Sequence, residues 1–359
     1  MANLDNLDSI KNLDRENILG NIQELPDQID QCWEDWQNIA LPTHYINAKN
    51  ILILGMGGSG IGGSLVSSLA DLSSNIPIFV LRDYNIPSWV DRNTLVIGVS
   101  YSGNTEETLS AFSEAAEKTE KLITISTGNK LASLGSRYGA VHYKINYGSQ
   151  PRAALGYSFT SLVAILAKLR LIDISDESIE ETTLLLRGLI KKIDADVPTP
   201  RNHAKLLAQK LSGKIPVIYG SGTLAEVARR WKGQFNENSK NTSWFEFLPE
   251  LNHMSLVGLE YPSDLGKKIF VLILESKYDH PRNKLRQQIT TQILQQRRIP
   301  FETIMVHPTG NILAEMIQVI SLGDFVSYYL AILNNVAPEP VDTINYLKGK
   351  LAEAPLEGK

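Results

Sequence analysis

Thr94-Leu-Val-Ile-Gly-Val99-Ser100-Tyr-Ser-Gly-Asn-Thr105-Glu-Glu-Thr108 is the stretch on which the reading of this chain turns. Thr94–Val99 is an apolar run of strand length, and helical periodicity begins after the hydroxyl-rich turn that follows it. Ser100, Ser102 and Thr105 therefore stand beside the free amides of a helix start. A phosphate monoester can accept hydrogen bonds from such hydroxyls and amides together. This cradle is neutral and needs no lysine. A plain capped helix, with Thr105 or Ser102 as the cap and Glu106 or Glu107 nearby, accounts for one hydroxyl and leaves the others unexplained.

Around this turn, Ile51–Leu54, Ile76–Leu81, Leu122–Ile125 and Val141–Ile145 are further short apolar runs separated by helical stretches. Parallel strands need crossover connections and are buried on both faces, so this alternation builds a parallel sheet covered by helices. The second half repeats the design with Ile215–Tyr219, Gly220-Ser-Gly222, a helix from Leu224, and strands at Ile269–Glu275 and Glu302–Val306. Both halves open with strand, Gly-Ser-Gly and helix, the pattern of two copies of one fold.

The expected fold class is α/β: two doubly wound, three-layer α/β/α domains with parallel sheets, over residues 46–190 and 201–335. Residues 191–200 form a linker, since Pro198 and Pro200 disfavour a continuing helix. Residues 1–45 read as a helical arm, with Leu13, Ile18, Leu19, Ile22, Leu25, Ile29 and Trp33 at spacings of three and four. The arm packs on its own domain or on a neighbouring subunit. Residues 336–359 hold a last amphipathic helix, about Val341–Leu351, and a tail.

Hydrophobic residues make up 43% and charged residues 21%, which excludes the disordered and fibrous classes. A net charge of -4 offers no general basic surface, so nucleic acid and anionic membrane are not expected partners and any phosphate needs a local site. Cys32, the lone cysteine, cannot form an intrachain disulfide, and Asp5, Asp8 and Asp14 interrupt any signal-peptide pattern. No run of about 18 apolar residues is present. A cytoplasmic location is expected.

Gly55-Met-Gly57-Gly58-Ser59-Gly60 after Ile51–Leu54 satisfies the Gly-x-Gly-x-x-Gly spacing of dinucleotide sites, and Asp83 ends the next strand. By itself this is weak evidence, because tight-turn packing uses the same glycines. Its secure content is that a ligand can approach the backbone closely and that helix amides favour an anion.

Ser100-Tyr-Ser-Gly-Asn-Thr105, placed after the strand that follows a glycine-rich first loop, resembles the phosphosugar-binding loop of sugar isomerase (SIS) domains. The resemblance implies that Ser100, Ser102 and Thr105 hold the sugar phosphate and that Gly58 and Ser59 lie against the sugar. In the second half, Glu237-Asn-Ser-Lys240 is followed by Glu246-Phe-Leu-Pro249-Glu-Leu-Asn-His253. This pairing resembles the bifunctional phosphoglucose/phosphomannose isomerases, built of two SIS domains, and the likeness runs from about residue 45 to about residue 351.

Such an enzyme converts glucose 6-phosphate, and also mannose 6-phosphate, to fructose 6-phosphate. The substrate ring must first open by acid–base catalysis, which suits His253, since histidine is the residue type whose reference pKa lies nearest neutrality. A base must then carry a proton from C2 to C1 through a cis-enediol, which suits a partly desolvated carboxylate, Glu237. Resemblance assigns Arg152 to the enediolate and the substrate, and Lys348 on the last helix to ring opening. It also implies a homodimer in which His253 crosses to the partner's active site, and a threonine near the last helix that gives room for both epimers, with Thr343 the nearest candidate.

His44, His142, His203, His280 and His307 show no metal-ligand spacing, so neither a metal nor any other cofactor is expected. Two rivals stay open. A non-catalytic SIS sensor of sugar phosphate would need an effector segment, and a nicotinamide-dependent dehydrogenase would have no use for Ser102 or Thr105.

Overall fold

The structure is a computed structural model that describes residues 3–306 and 310–353. His307 lies outside the described residues. The chain opens with helices α1 (Leu7–Leu13), α2 (Ile18–Gln23) and α3 (Leu25–Gln37). The first sheet unit follows, with β1 (Asn50–Leu54), α4 (Gly57–Ala70), β2 (Ile78–Leu81), β3 (Thr94–Val99), α5 (Glu106–Ala116), β4 (Leu122–Ser126), α6 (Asn129–Arg137) and β5 (Val141–Lys144). Two helices, α7 (Leu155–Lys168) and α8 (Asp176–Ile193), lead to α9 (His203–Leu211).

The second sheet unit holds β6 (Ile215–Gly220), α10 (Ala225–Glu237), β7 (Trp244–Phe247), α11 (Leu265–Lys268), β8 (Ile269–Leu274), α12 (Pro281–Gln296) and β9 (Phe301–Ile304). The chain closes with α13 (Ile312–Leu333) and α14 (Asp342–Glu353).

All strand pairs are parallel, in the orders β2-β1-β3-β4-β5 and β7-β6-β8-β9. Each sheet begins at an interior strand and reverses direction beside it, so β6, β7, β8 and β9 repeat the order of β1, β2, β3 and β4. The internal similarity of the two halves is thus a repeat of topology. All six residues of both β3 and β8 are buried, which explains why these strands read as unbroken apolar runs.

The first strand pair sets the position of the loops that matter. Leu54 of β1 pairs with Gly98 of β3, so the turns after these neighbouring strands emerge side by side. In an open parallel sheet the crevice for a ligand lies at the strand C-termini where the order reverses, here between β1 and β3.

The N-terminal arm is three helices, and it packs on its own chain. Gln28 accepts from the Gly156 amide and donates to the Ala153 carbonyl, while Cys32 and Trp36 are fully buried. Trp33 Nε1 donates to Asp176 of α8 at 2.7 Å. One apolar core runs from Leu4 through α7 and α8 to α13, joining both sheets. By length and composition α13 could cross a membrane, but its most apolar window is wholly buried in the protein.

One strand escaped the sequence reading. Trp244-Phe-Glu-Phe247 pairs with β6 at the sheet edge, where its residues are exposed or half-buried, so it shows no continuous apolar run.

Candidate active site

Ser100 and Thr105 meet at the crevice between β1 and β3. Their hydroxyls lie 2.8 Å apart, with Ser100 fully buried at the strand end and Thr105 at the N-cap of α5. Thr105 makes no side-chain capping bond there, so its hydroxyl is not committed to the helix. Ser59, in the first turn of α4, accepts from the Tyr101 amide at 3.1 Å and ties the glycine loop to the hydroxyl turn. Ser102 behaves differently. It is exposed, its hydroxyl accepts from the Asn104 amide at 3.2 Å, and its carbonyl accepts from Asn129.

The glycine loop serves a close approach. A Cβ at Gly58 would stand 3.1 Å from the Pro151 carbonyl and 3.2 Å from the Arg152 amide, so a side chain there would push the segment that carries Arg152. That segment is a 3₁₀ turn, Pro151–Ala153, after β5.

Arg152 is 4% exposed and heavily bonded. Its Nε donates to Asn238 Oδ1 at 2.7 Å, and its Nη2 donates to the carbonyls of Pro338 and Glu339, each at 2.8 Å. The remaining nitrogen, Nη1, stands 3.6 Å from Glu237 Oε2. Burial pushes the guanidinium down from the usual arginine range, while the carboxylates of Glu237 and Glu339 pull it back up. Behind it, Arg230 donates to the Arg152 carbonyl at 3.2 Å and pairs at 2.7 Å with the buried Asp324, which also accepts from Gln234. Burial raises the Asp324 carboxyl and Arg230 opposes that shift.

Glu237 ends α10 and is about one-third exposed, at 32%. Its carboxylate faces Arg152 and is not fully desolvated. Lys240 lies beside it, brought down to about 8 first by burial and then by Arg152.

Three expected residues make no side-chain bond to this group. His253 is exposed in a 3₁₀ turn, Glu250–His253, and its side chain bonds to no described residue. The turn follows β7, whose Phe247 pairs with Gly220, so it lies at the sheet edge where α10 starts. Glu237 lies at the far end of α10, a helix about 20 Å long at 1.5 Å per residue. Within one chain the two side chains do not meet. Lys348 and Thr343 lie on α14, which has no buried residue. Lys348 makes no side-chain bond to a described residue.

The second sheet's equivalent crevice carries a hydrogen-bond network of its own side chains beside a small cavity. Gln287 Nε2 donates to Ser221 Oγ, to the Leu274 carbonyl and to Asp279 Oδ2, each at 3.2 Å. Asp279 and Glu315 are buried there and Glu275 is close by, with Lys277 and Lys284 lining the same cavity, so the local charge is mixed. Only the crevice of the first sheet has the hydroxyl turn.

Sequence reasoning missed Asn238, Gln150, Glu339 and the supporting pair of Arg230 with Asp324. Asn238 and Gln150 flank expected residues, which was the only available signal. The others act through backbone carbonyls or buried pairing.

Comparison with known proteins agrees with this architecture. The family model described as the SIS domain matches residues 44–172, and the one described as the bacterial phospho-glucose isomerase C-terminal SIS domain matches residues 200–351. The bifunctional phosphoglucose/phosphomannose isomerase of Caldicellulosiruptor bescii is 43% identical over 92% of this chain and 98% of its own. That of Aquifex aeolicus is 38% identical over 88% of this chain and 94% of its own. Among solved structures, the C-terminal domain of glucosamine-fructose-6-phosphate aminotransferase from Francisella tularensis superposes with a TM-score of 0.69 at 15% identity, covering 90% of this chain and 98% of that one, a likeness of fold. With both halves matched by their family models and near-full-length relatives at this identity, the chain belongs to the bifunctional phosphoglucose/phosphomannose isomerase family.

Proposed function

We propose that this chain is an aldose–ketose isomerase that interconverts glucose 6-phosphate, and mannose 6-phosphate, with fructose 6-phosphate. The observation that carries the reading is the 3.6 Å approach of Arg152 to Glu237, with the Arg152 segment packed against Gly58 of the loop that Ser59 ties to the hydroxyl turn of Ser100 and Thr105. An anion cradle, a partly exposed carboxylate and a buried guanidinium are the groups that proton transfer on a phosphosugar requires.

The phosphate is held by the hydroxyls of Ser100, Ser102 and Thr105 and by the amides of the turn, with Gly58 and Ser59 against the sugar. Ring opening uses His253 and Lys348, one protonating the ring oxygen as the other takes the anomeric proton. Glu237 then removes the C2 proton, the C2–H electrons form the C1–C2 double bond, and the carbonyl oxygen at C1 gains a proton. Return of the proton from Glu237 to C1, with loss of the O2 proton, completes the ketose. Arg152 Nη1 stabilises the enediolate oxygen through a donor fixed in advance. Both epimers give the same planar enediol, so one base serves glucose and mannose phosphates.

The active form in this reading is a cytoplasmic homodimer with shared sites. Its support is the position of His253 at the opposite edge from Glu237, together with exposed Met254, Val257, Tyr261, Leu285 and Ile289 around that turn and on α12. A second copy would cover these apolar side chains and deliver the imidazole.

A coupled assay tests the reading. The purified chain supplied with fructose 6-phosphate should form glucose and mannose 6-phosphates, and Glu237→Ala should form neither. Absence of both products from the parent enzyme rules the activity out.

A further inference from the structure

Lys240 has no role in the chemistry above, yet it lies against the groups that perform it. It follows α10 with a left-handed backbone, φ 53°, which turns the chain so that the side chain folds back over the helix end. Its Nζ donates to the Glu237 carbonyl at 2.6 Å and stands 3.5 Å from the Asn238 carbonyl. These are among the last carbonyls of α10, which have no partner inside the helix, and a cation there also suits the helix's negative end.

The same ammonium donates to the Pro338 carbonyl at 3.0 Å, which Arg152 Nη2 also holds at 2.8 Å. One residue on, the chain is gripped twice more, by Arg152 on the Glu339 carbonyl at 2.8 Å and by Gln150 on the Glu339 carboxylate at 2.7 Å. Pro338 and Glu339 thus form a strap across the site immediately before α14. Arg152 and Lys240 would repel each other there, and Glu237, Glu339 and Asp342 offset that repulsion. An arginine has five N–H donors. With Nε on Asn238 and Nη2 on the strap, Arg152 is left with Nη1 toward Glu237, so the strap decides which edge of the guanidinium faces the crevice.

We propose that Lys240 is a positioning residue: by capping α10 and gripping the Pro338 carbonyl, it holds Glu237, Arg152 and the root of α14 in one working geometry. The inference rests on the reading of Glu237 and Arg152 as reacting groups. Lys240 touches only backbone carbonyls, and the hydroxyl turn that grips phosphate lies on another strand. Its loss therefore alters turnover more than substrate affinity.

Full-length Lys240→Met and Lys240→Arg enzymes test this. Lys240→Met should lower kcat about tenfold or more, as small misplacements of reacting groups do, and leave KM within about twofold. Lys240→Arg, which can span the same carbonyls, should recover most of the turnover. Hydrogen–deuterium exchange gives an arm that needs no activity: Lys240→Met should speed exchange over residues 338–350 and leave β3 and α5 as in the parent. Parent-like turnover in Lys240→Met, or unchanged exchange over that strap, overturns the proposal. If Lys240→Met melts far below the parent, recovery of turnover by Lys240→Arg decides the matter, and its failure counts against the proposal. A parent enzyme that turns over neither sugar overturns the functional reading instead, and the exchange arm then decides the strap by itself.

Discussion

Arg152 Nη1 lies 3.6 Å from Glu237 Oε2, and this approach joins the exit of the first sheet to the end of a helix from the second. The pair forms because Arg152 is fixed from behind by Arg230 and from the sides by Asn238 and the Pro338–Glu339 carbonyls. A guanidinium so held cannot follow a moving partner. In the proposed mechanism it would act by being already in place.

Arg152→Lys should therefore cost about 10²–10³ in kcat, since a lysine cannot reproduce a planar fork of donors. It also takes the Nε donor from the buried Asn238 Oδ1 and an Nη2 donor from the part-buried Glu339 carbonyl, at about 1–3 kcal/mol for a buried acceptor left unpaired, while the Pro338 carbonyl keeps Lys240. Steady-state kinetics with fructose 6-phosphate and denaturant unfolding together should show both losses. Restored turnover in the lysine enzyme would contradict the account of a fixed fork.

Glu237→Gln keeps the shape of the side chain and removes the base, and His253→Ala removes the imidazole. Each variant alone should be inactive. Because the two residues lie at opposite ends of α10, co-refolding the two inactive chains should return part of the parent activity through mixed dimers that hold one intact site. No recovery on mixing argues against shared sites.

Gly58→Ala tests the close approach of the glycine loop to the arginine segment. The new Cβ would meet backbone at 3.1–3.2 Å, and backbone does not yield as a flexible side chain does. A shift of Arg152 by a fraction of an ångström to an ångström should lower kcat by up to about 10²-fold while the fold persists. Circular dichroism matched to the parent, with reduced turnover, is the expected pair of results.

Gly323→Ala and Gly188→Ala should move stability in opposite directions. At Gly323 a Cβ would fall 2.2 Å from Nε1 of Trp231, a fully buried ring whose indole donates to the Val319 carbonyl. Overpacking of this kind costs about 1–3 kcal/mol. At Gly188, exposed on α8, a Cβ meets nothing within 4 Å, and alanine should stabilise the helix by about 0.5–1 kcal/mol. Urea titration of both variants reads the two signs.

Lys240 makes stability depend on alkaline pH in a defined direction. Its native value is about 8 against an ordinary 10.5, lowered first by burial and then by Arg152. Between those two values the unfolded chain binds more protons than the native one, so this residue's contribution rises with pH. Unfolding curves of the parent and Lys240→Met from pH 7.5 to 10.5 should show the parent gaining relative to the variant. A difference that stays flat or falls would contradict the shift.

The proposed mechanism assigns no part to a metal, because in it proton transfer by Glu237 and charge stabilisation by Arg152 would supply what the enediol step needs. The rate with fructose 6-phosphate should be unchanged after dialysis against EDTA. A loss of rate that returns on adding a divalent cation would overturn that expectation.

The sequence by itself determined the parts whose cause is local. Thr94–Val99 had to be a buried parallel strand because its run is apolar throughout, and the hydroxyls after it had to stand at a helix start because the periodicity changes there. The pairing of Glu237 with His253 came instead from resemblance to a family, not from any local cause. Only the tertiary structure decided which of these groups meet. Arg152 and Glu237 come together because the two sheet units pack through α4, α10 and the shared core, a contact between distant segments that periodicity cannot encode. His253 is kept from Glu237 by the length of α10. Lys240 and Arg152 hold the strap through main-chain carbonyls, which every residue possesses, and Gln150 meets the Glu339 carboxylate from a segment far away in sequence, so no local side-chain pattern could have marked it.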